Sequence, residues 1–218
     1  MDKKTLQKQR IMTYFIDAAN KIIEEEGIEA ITIRKAATIA GYNSATLYNY
    51  FQNLDHLILF ASMKYLKEYT DLLPKYIGNA STSLEKYFSI WECFCTCSFN
   101  RPHIYNLIFF STFRSTLDNL VEEYYEIFPD ELLNDSSLDV KHMLLENSIY
   151  KRNSLLLQEC VNEGSIPNDH IDVINEIAIF TYQGMLNNVL NHLVDKDDIQ
   201  SYIESLVSYI KFITLKNS

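Results

Sequence analysis

The sequence predicts an all-α fold, a three-helix head with a helix-turn-helix at the N-terminus followed by a larger helical body. Three observations predict it. Apolar residues recur at three- and four-residue intervals both at the start of the chain and over its last fifty residues. Glycine and proline number only five and four in 218 residues, too few for the many turns of a β-rich fold. The stretch from Thr32 to Phe51 places small, glycine and apolar residues as two short crossing helices require.

The first helix is written in Ile11, Phe15, Ala18, Ala19, Ile22 and Ile23, one apolar stripe that Gly27 ends. Thr32 is positioned to cap a second helix, Ile33 to Ala40, and Gly41 breaks it. Ser44 to Tyr50 is predicted as a third, and a fourth begins near Leu54 and Asp55 and runs to Pro74. Behind Pro74 and Gly78, a helix extends from Ser81 or Ser83 towards Asn100. Another covers His103 to Phe128, and Pro129 to Asp139 is expected as a surface loop. Ser137 would cap a long helix to Glu163, and two last helices span Asn168 to Val194 and Asp197 to Leu215. Gly184 falls inside one of them, a position that suits close backbone packing. The expected division is a head over 1–52 and a body over 53–218, with helix four linking them.

Composition narrows the function classes. An apolar fraction of 47% fits a globular chain. No apolar run approaches the roughly 20 residues a bilayer span needs, and no apolar segment of a signal peptide follows Lys3 and Lys4. A cytoplasmic location with reduced thiols is therefore expected. Net charge is −10, yet residues 1–50 carry seven basic and six acidic side chains, which leaves −11 on the remainder. A polyanion would approach the N-terminal quarter. Histidines 56, 103, 142, 170 and 192 are scattered, and no nucleophile–base pair, phosphate loop or paired metal motif appears, so no catalytic site, metal or cofactor is expected.

The motif itself is the sharpest signal. Ala37 is the small residue at the helix crossing, and Gly41 supplies the left-handed turn. Ile33, Ala36, Ala40 and Leu47 form the inner faces, while Asn43, Ser44, Thr46, Tyr48 and Asn49 leave the outer face polar. Together with Ala18-Ala19, Gly27, Thr32, Thr46-Leu47-Tyr48, Tyr50-Phe51 and Leu57, this pattern over about the first 60 residues resembles the tetracycline-repressor (TetR) family. The resemblance implies a DNA-binding head, a ligand-binding body and a homodimer built from the last two helices. Its expected function is that of a regulator, a repressor released from a palindromic operator on double-stranded DNA by a small apolar or aromatic effector, with no membrane partner. A cysteine-based redox or metal-responsive regulator, and a DNA-binding protein without an effector, are the alternatives.

On that reading Thr32, Arg34 and Lys35 face phosphates, together with the basic arm of Lys3, Lys4, Lys8 and Arg10. Asn43, Ser44, Ala45 and Thr46 open the recognition helix, and Tyr48, Asn49 and Tyr50 extend the contact. Two positions depart from the family pattern: Leu54 stands where a lysine is usual, and Ala36 where a bulky aliphatic is usual. No Lys or Arg occurs between Lys35 and Lys64, so a shallow salt dependence is expected. For the body, Trp91, Phe94, Tyr105, Phe109 and Phe113 are the candidate pocket residues, with His142 and Asn147 as polar groups. The same rings at helical spacing also make ordinary core. Cys93, Cys95 and Cys97 read first as packing, because no converging fourth ligand accompanies them. Ile177, Gly184, Met185, Asn188, Ile203 and Val207 are the expected dimer interface.

Overall fold

The computed structural model describes residues 3–111, 120–131 and 138–215, and among them there are helices and no strand. The α-helices are α1 (Lys3–Glu26), α2 (Ile33–Ala40), α3 (Ser44–Leu47), α4 (Leu54–Ile77), α5 (Ser83–Asn100), α6 (Pro102–Phe110), α7 (Leu120–Ile127), α8 (Leu138–Leu145), α9 (Ile149–Asn162), α10 (Ile171–Leu190) and α11 (Ile199–Leu215). They gather into two compact units, Met1–Leu66 with Ser111–Glu131, and Lys67–Phe110 with Leu132–Ser218. The grouping differs from the expected division after residue 52, because the first half of α4 packs within the head and α7 joins it there.

The head forms where its local signals said it would. The stripe on α1 buries Met12, Phe15, Ala19 and Ile22, each at most 1% exposed, and Gly27 ends the helix with φ 90°. Thr32 accepts the Lys35 N–H at 3.2 Å and so caps α2. Gly41 closes it at φ 78°, with its N–H directed to the Thr38 carbonyl at 3.2 Å. The core then runs through rings set edge-on: Phe15 to Phe51 at 6.1 Å, Phe51 to Phe60 at 5.8 Å and Phe60 to Tyr124 at 5.4 Å. Tyr124, from α7, also donates to Glu131 at 2.6 Å.

The body packs α5 against α9 and α11, and α10 against α6, α9 and α11. Phe94 of α5 lies at its centre, with the rings of Tyr69, Tyr105, Phe109 and Tyr182 at 5.2 to 5.5 Å. Three boundaries differ from the sequence expectation. Helix α4 runs past Pro74 to Ile77, because a proline in a last turn forfeits only one hydrogen bond. His103–Phe128 is two helices, α6 and α7, which belong to different units. The long helix to Glu163 is also two, broken at 146–148, where Arg152 of α9 takes the end of α8: Nη2 donates to the Leu144 carbonyl at 2.8 Å and Nε to that of Glu146 at 2.7 Å. The Ser137 cap lies outside the described residues.

Candidate nucleic-acid interface and body cavity

The recognition helix α3 starts from a capped turn. Asn43 Oδ1 accepts both the Thr46 N–H at 2.8 Å and the Thr46 hydroxyl at 3.0 Å. This satisfies a first-turn donor and fixes the helix N-terminus on the surface. Only Ser44–Leu47 is regular helix, and residues 48–50 continue as a turn whose Tyr50 and Phe51 N–H groups both return to the Leu47 carbonyl at 2.9 Å. Leu47 is fully buried and Phe51 nearly so, which anchors the segment. Thr32, Arg34, Asn43, Ala45, Tyr48 and Asn49 are then exposed, while Ser44, Thr46 and Tyr50 are half-buried.

The basic residues divide into two groups. Lys35 is half-buried in an ion pair with Glu26 at the end of α1, and Lys64 pairs with Asp17 at 2.6 Å. Their charge is partly spent within the head. At the other end of α1, Lys4, Thr5, Gln7 and Lys8 line a surface groove with Asn49 and Tyr50, about 440 Å³ in volume. Helical spacing puts Lys4 and Lys8 on one face, and the fold brings that face to the residues that follow α3. Thr5 and Gln7 were missed as site residues; their proximity to Asn49 arises from tertiary packing and leaves no local signal. Lys3 is exposed at the start of α1.

The first turn of α4 holds a buried histidine. His56 is 1% exposed; its Nδ1 accepts the Gln52 N–H at 3.1 Å, and its Nε2 lies 3.7 Å from Glu123. Burial lowers its pKa below the ordinary imidazole value, Glu123 opposes that shift, and Lys8 adds to it.

In the body, Trp91 and Phe94 line a small cavity of about 30 Å³ with Tyr69, Ile90, Met143, Ile149, Leu156, Arg152 and Asn153. This is room for about one water. The other expected pocket residues are placed differently. Tyr105 and Phe109 stand behind Phe94 as packed rings. His142 is exposed, Asn147 is half-buried away from the lining, and Phe113 lies outside the described residues. The polar groups in the wall are Arg152 and Asn153. Trp91 Nε1 donates to Asn153 Oδ1 at 2.9 Å, and Asn153 Nδ2 passes the chain on to Asn175 Oδ1 at 2.9 Å. Neither was marked from the sequence, since one Arg and one Asn within a helix look like solvent-facing residues.

All four cysteines are buried. The thiols are free, with Cys93 Sγ 3.9 Å from the Tyr69 carbonyl; the influence of Cys93 and Cys97 on each other, one turn apart, raises the first thiol's pKa and lowers the second's. Burial pushes Cys95 up, and Cys160 up to about 12. Among the described residues no group of three metal-ligating side chains converges, and no helix is long and apolar enough to cross a membrane.

The expected interface residues fall on two faces. Met185, Ile203 and Val207 are 7%, 1% and 7% exposed and belong to the chain's own core. Ile177, Gly184 and Asn188 are exposed. Val173, Phe180, Tyr209, Phe212 and Leu215 lie open as well, each more than half exposed.

Residues 15–59 match the sequence pattern of bacterial regulatory proteins of the tetR family. No curated protein sequence matches the chain. Solved structures share the fold over nearly the full length. The fatty acid degradation regulator FadR from Bacillus halodurans has a TM-score of 0.56 at 16% identity, over 92% of this chain and 94% of its own. FadR from Thermus thermophilus, a TetR-family repressor solved with lauroyl-CoA, has a TM-score of 0.55 at 11% identity, over 91% and 92%. RolR, solved with resorcinol, has a TM-score of 0.51 at 14% identity, over 96% and 95%. Residues 15–59 thus carry the head pattern of the tetR family of bacterial regulatory proteins, and over nearly its full length the chain shares the fold of a solved TetR-family repressor.

Proposed function

We propose that the protein is a homodimeric repressor that binds a palindromic operator through the two heads and leaves it when a small, largely apolar effector enters the body. The observation that carries the DNA half is the groove joining Lys4 and Lys8 to Asn49 and Tyr50 beside the exposed residues of α3. It sets phosphate contacts next to the residues that would enter the major groove. Thr32 and Arg34 contribute further backbone contacts, and Asn43, Ser44, Ala45, Thr46 and Tyr48 face the bases and flanking phosphates. Lys3 extends the basic arm, and Lys35 joins only if it exchanges Glu26 for a phosphate.

The dimer half rests on the apolar stripe Val173, Ile177 and Phe180 of α10 with Tyr209 and Phe212 of α11. Exposed large side chains in one row are what a partner copy would cover. Gly184 and Asn188 continue the α10 row. The effector half rests on the cavity, whose wall includes Tyr69 of α4. Helix α4 begins three residues after Phe51, the core residue that anchors the end of the α3 segment, so a shift of α4 would move α3. The effector acts by favouring the conformation in which the two heads no longer match the operator. Folds of this kind hold ligands as different as lauroyl-CoA and resorcinol in other proteins, so effector chemistry has to come from this chain's own wall.

A mobility-shift titration on the DNA upstream of the protein's own gene tests the reading. A retarded band that shrinks as an apolar effector is added is the expected result. A band unaffected by every apolar compound that perturbs Trp91 would remove the effector from the function and leave a DNA-binding regulator.

A further inference from the structure

Few side chains of the recognition segment are free to read bases. No Lys or Arg lies between Lys35 and Lys64, so α3 has no cation to fork onto guanine O6 and N7, the commonest specific contact in a major groove. Asn43 is of the residue type that pairs with adenine, but both lone pairs of its Oδ1 are engaged, one by the Thr46 N–H at 2.8 Å and one by the Thr46 hydroxyl at 3.0 Å. A bidentate amide needs that oxygen to accept from adenine N6. Asn49 lines the groove with Lys4 and Lys8, on the side where phosphates would meet the head.

Ser44, Ala45 and Tyr48 remain. Ser44 is half-buried, and a hydroxyl bonds to several base edges without choosing among them. Ala45 is exposed, and Tyr48 is 56% exposed. Tyr48 follows α3 with φ −66° and ψ −13°, still in the helical region. A spacing of three residues therefore sets the Ala45 methyl beside the Tyr48 ring on the outer face, while Leu47, fully buried, fixes the segment from within. Neighbours of this kind stand roughly 5–6 Å apart, between one and two base-pair steps of about 3.4 Å. The major groove offers such an apolar pair one apolar feature, the C5 methyl of thymine.

We infer that each operator half-site is specified by thymine methyls: two A·T pairs, adjacent or one step apart, are read by the Ala45 methyl and the Tyr48 ring. This rests on the reading of the head as the DNA-binding unit. The contacts of Lys4, Lys8 and Thr32 to phosphates position the duplex and carry no sequence information. A guanidinium on a guanine would have to come from Arg34 on α2, outside this pair.

The full-length chain first selects a site from a library of randomised duplexes long enough for two half-sites one helical turn apart. The selected duplex is then remade with deoxyuridine in place of thymidine, one position at a time. Deoxyuridine keeps the pairing with adenine and deletes only the C5 methyl. Two neighbouring thymines in each half-site are expected to lose about fourfold in affinity each when the methyl is removed, and the other thymines to lose none. In Tyr48→Ala and in Ala45→Gly, one of the two positions should stop distinguishing thymine from uracil while the other still does. A variant that binds more weakly but keeps both preferences overturns the assignment to that residue. Uracil tolerated throughout a selected site overturns the inference and leaves the DNA-binding reading standing; this comparison needs no variant to fold. Enrichment of no sequence over the starting library overturns both.

Discussion

His56 accepts the main-chain N–H of Gln52 at its Nδ1, 3.1 Å away. Nδ1 must be unprotonated to do so, and the ring proton then sits on Nε2, towards Glu123 at 3.7 Å. The side chain therefore holds the link between Phe51 and α4 in one arrangement while it stays neutral.

A pH dependence follows from that geometry. Burial lowers the folded-state pKa of His56 against the opposing pull of Glu123, and Lys8 lowers it further. The unfolded chain thus takes up the proton first as the pH falls. The stability due to neutral His56 is complete above the ordinary imidazole value of about 6.5 and declines as the pH drops from there towards the folded-state value. Stability is therefore expected to fall as the pH drops from 7 to 5. Thermal melts across this range should slope more steeply for the wild type than for His56→Gln; parallel curves would assign the pH response to other groups.

The head's cations should be unequal on DNA. Lys4 and Lys8 border the groove with Asn49 and Tyr50, whereas Lys35 faces Glu26. Lys8→Ala is expected to weaken operator binding and to lower the salt slope by about 1, as one lost phosphate contact would. Lys35→Ala should cost less than Lys8→Ala, and Glu26→Gln should tighten binding by releasing Lys35. Salt titrations of the three variants check the order, and a larger loss at Lys35 than at Lys8 would reverse the assignment.

Asn43 is committed to the cap of α3 through two bonds to Thr46. Asn43→Ala should lower stability by about 1 kcal/mol, while Asn43→Ser or Asn43→Asp retains most of it. Gly41 sits at φ 78°, and Gly41→Ala should cost about 1 kcal/mol because a Cβ crowds the left-handed backbone. Denaturant unfolding reads both. An unchanged midpoint for Asn43→Ala would mean that the side chain acts on DNA alone.

The two faces of the last helices should separate assembly from folding. Phe180→Asp with Phe212→Asp, at positions 60% and 57% exposed, is expected to yield a folded monomer by sedimentation velocity. Ile203→Ala, at 1% exposure, should instead lower stability by about 2–4 kcal/mol without changing the oligomer. A dimer that survives both aspartates would place the interface elsewhere.

Much of the head was legible because its signals are local. The stripe on α1, the cap at Thr32, the left-handed Gly41 and the small Ala37 each act within a few residues of their place in the chain, and each appears where the spacing put it. The body was less legible for the same reason. Helical periodicity marks a buried face without naming its partner, so Tyr105 and Phe109 could be seen as apolar but not as rings packed behind Phe94.

The sequence by itself determined the helical class and the helix-turn-helix with its tetR-like pattern over residues 15–59, because hydrogen bonds and side-chain sterics within one turn settle such local structure. Only the tertiary structure decided that Lys35 meets Glu26, that Lys8 meets Tyr50 across a groove, that Ile203 belongs to the core while Phe212 does not, and that Arg152 turns inward. Each of these depends on which surfaces meet after the chain has folded. An arginine on a helix reads the same in sequence whether it faces water or the carbonyls of Leu144 and Glu146.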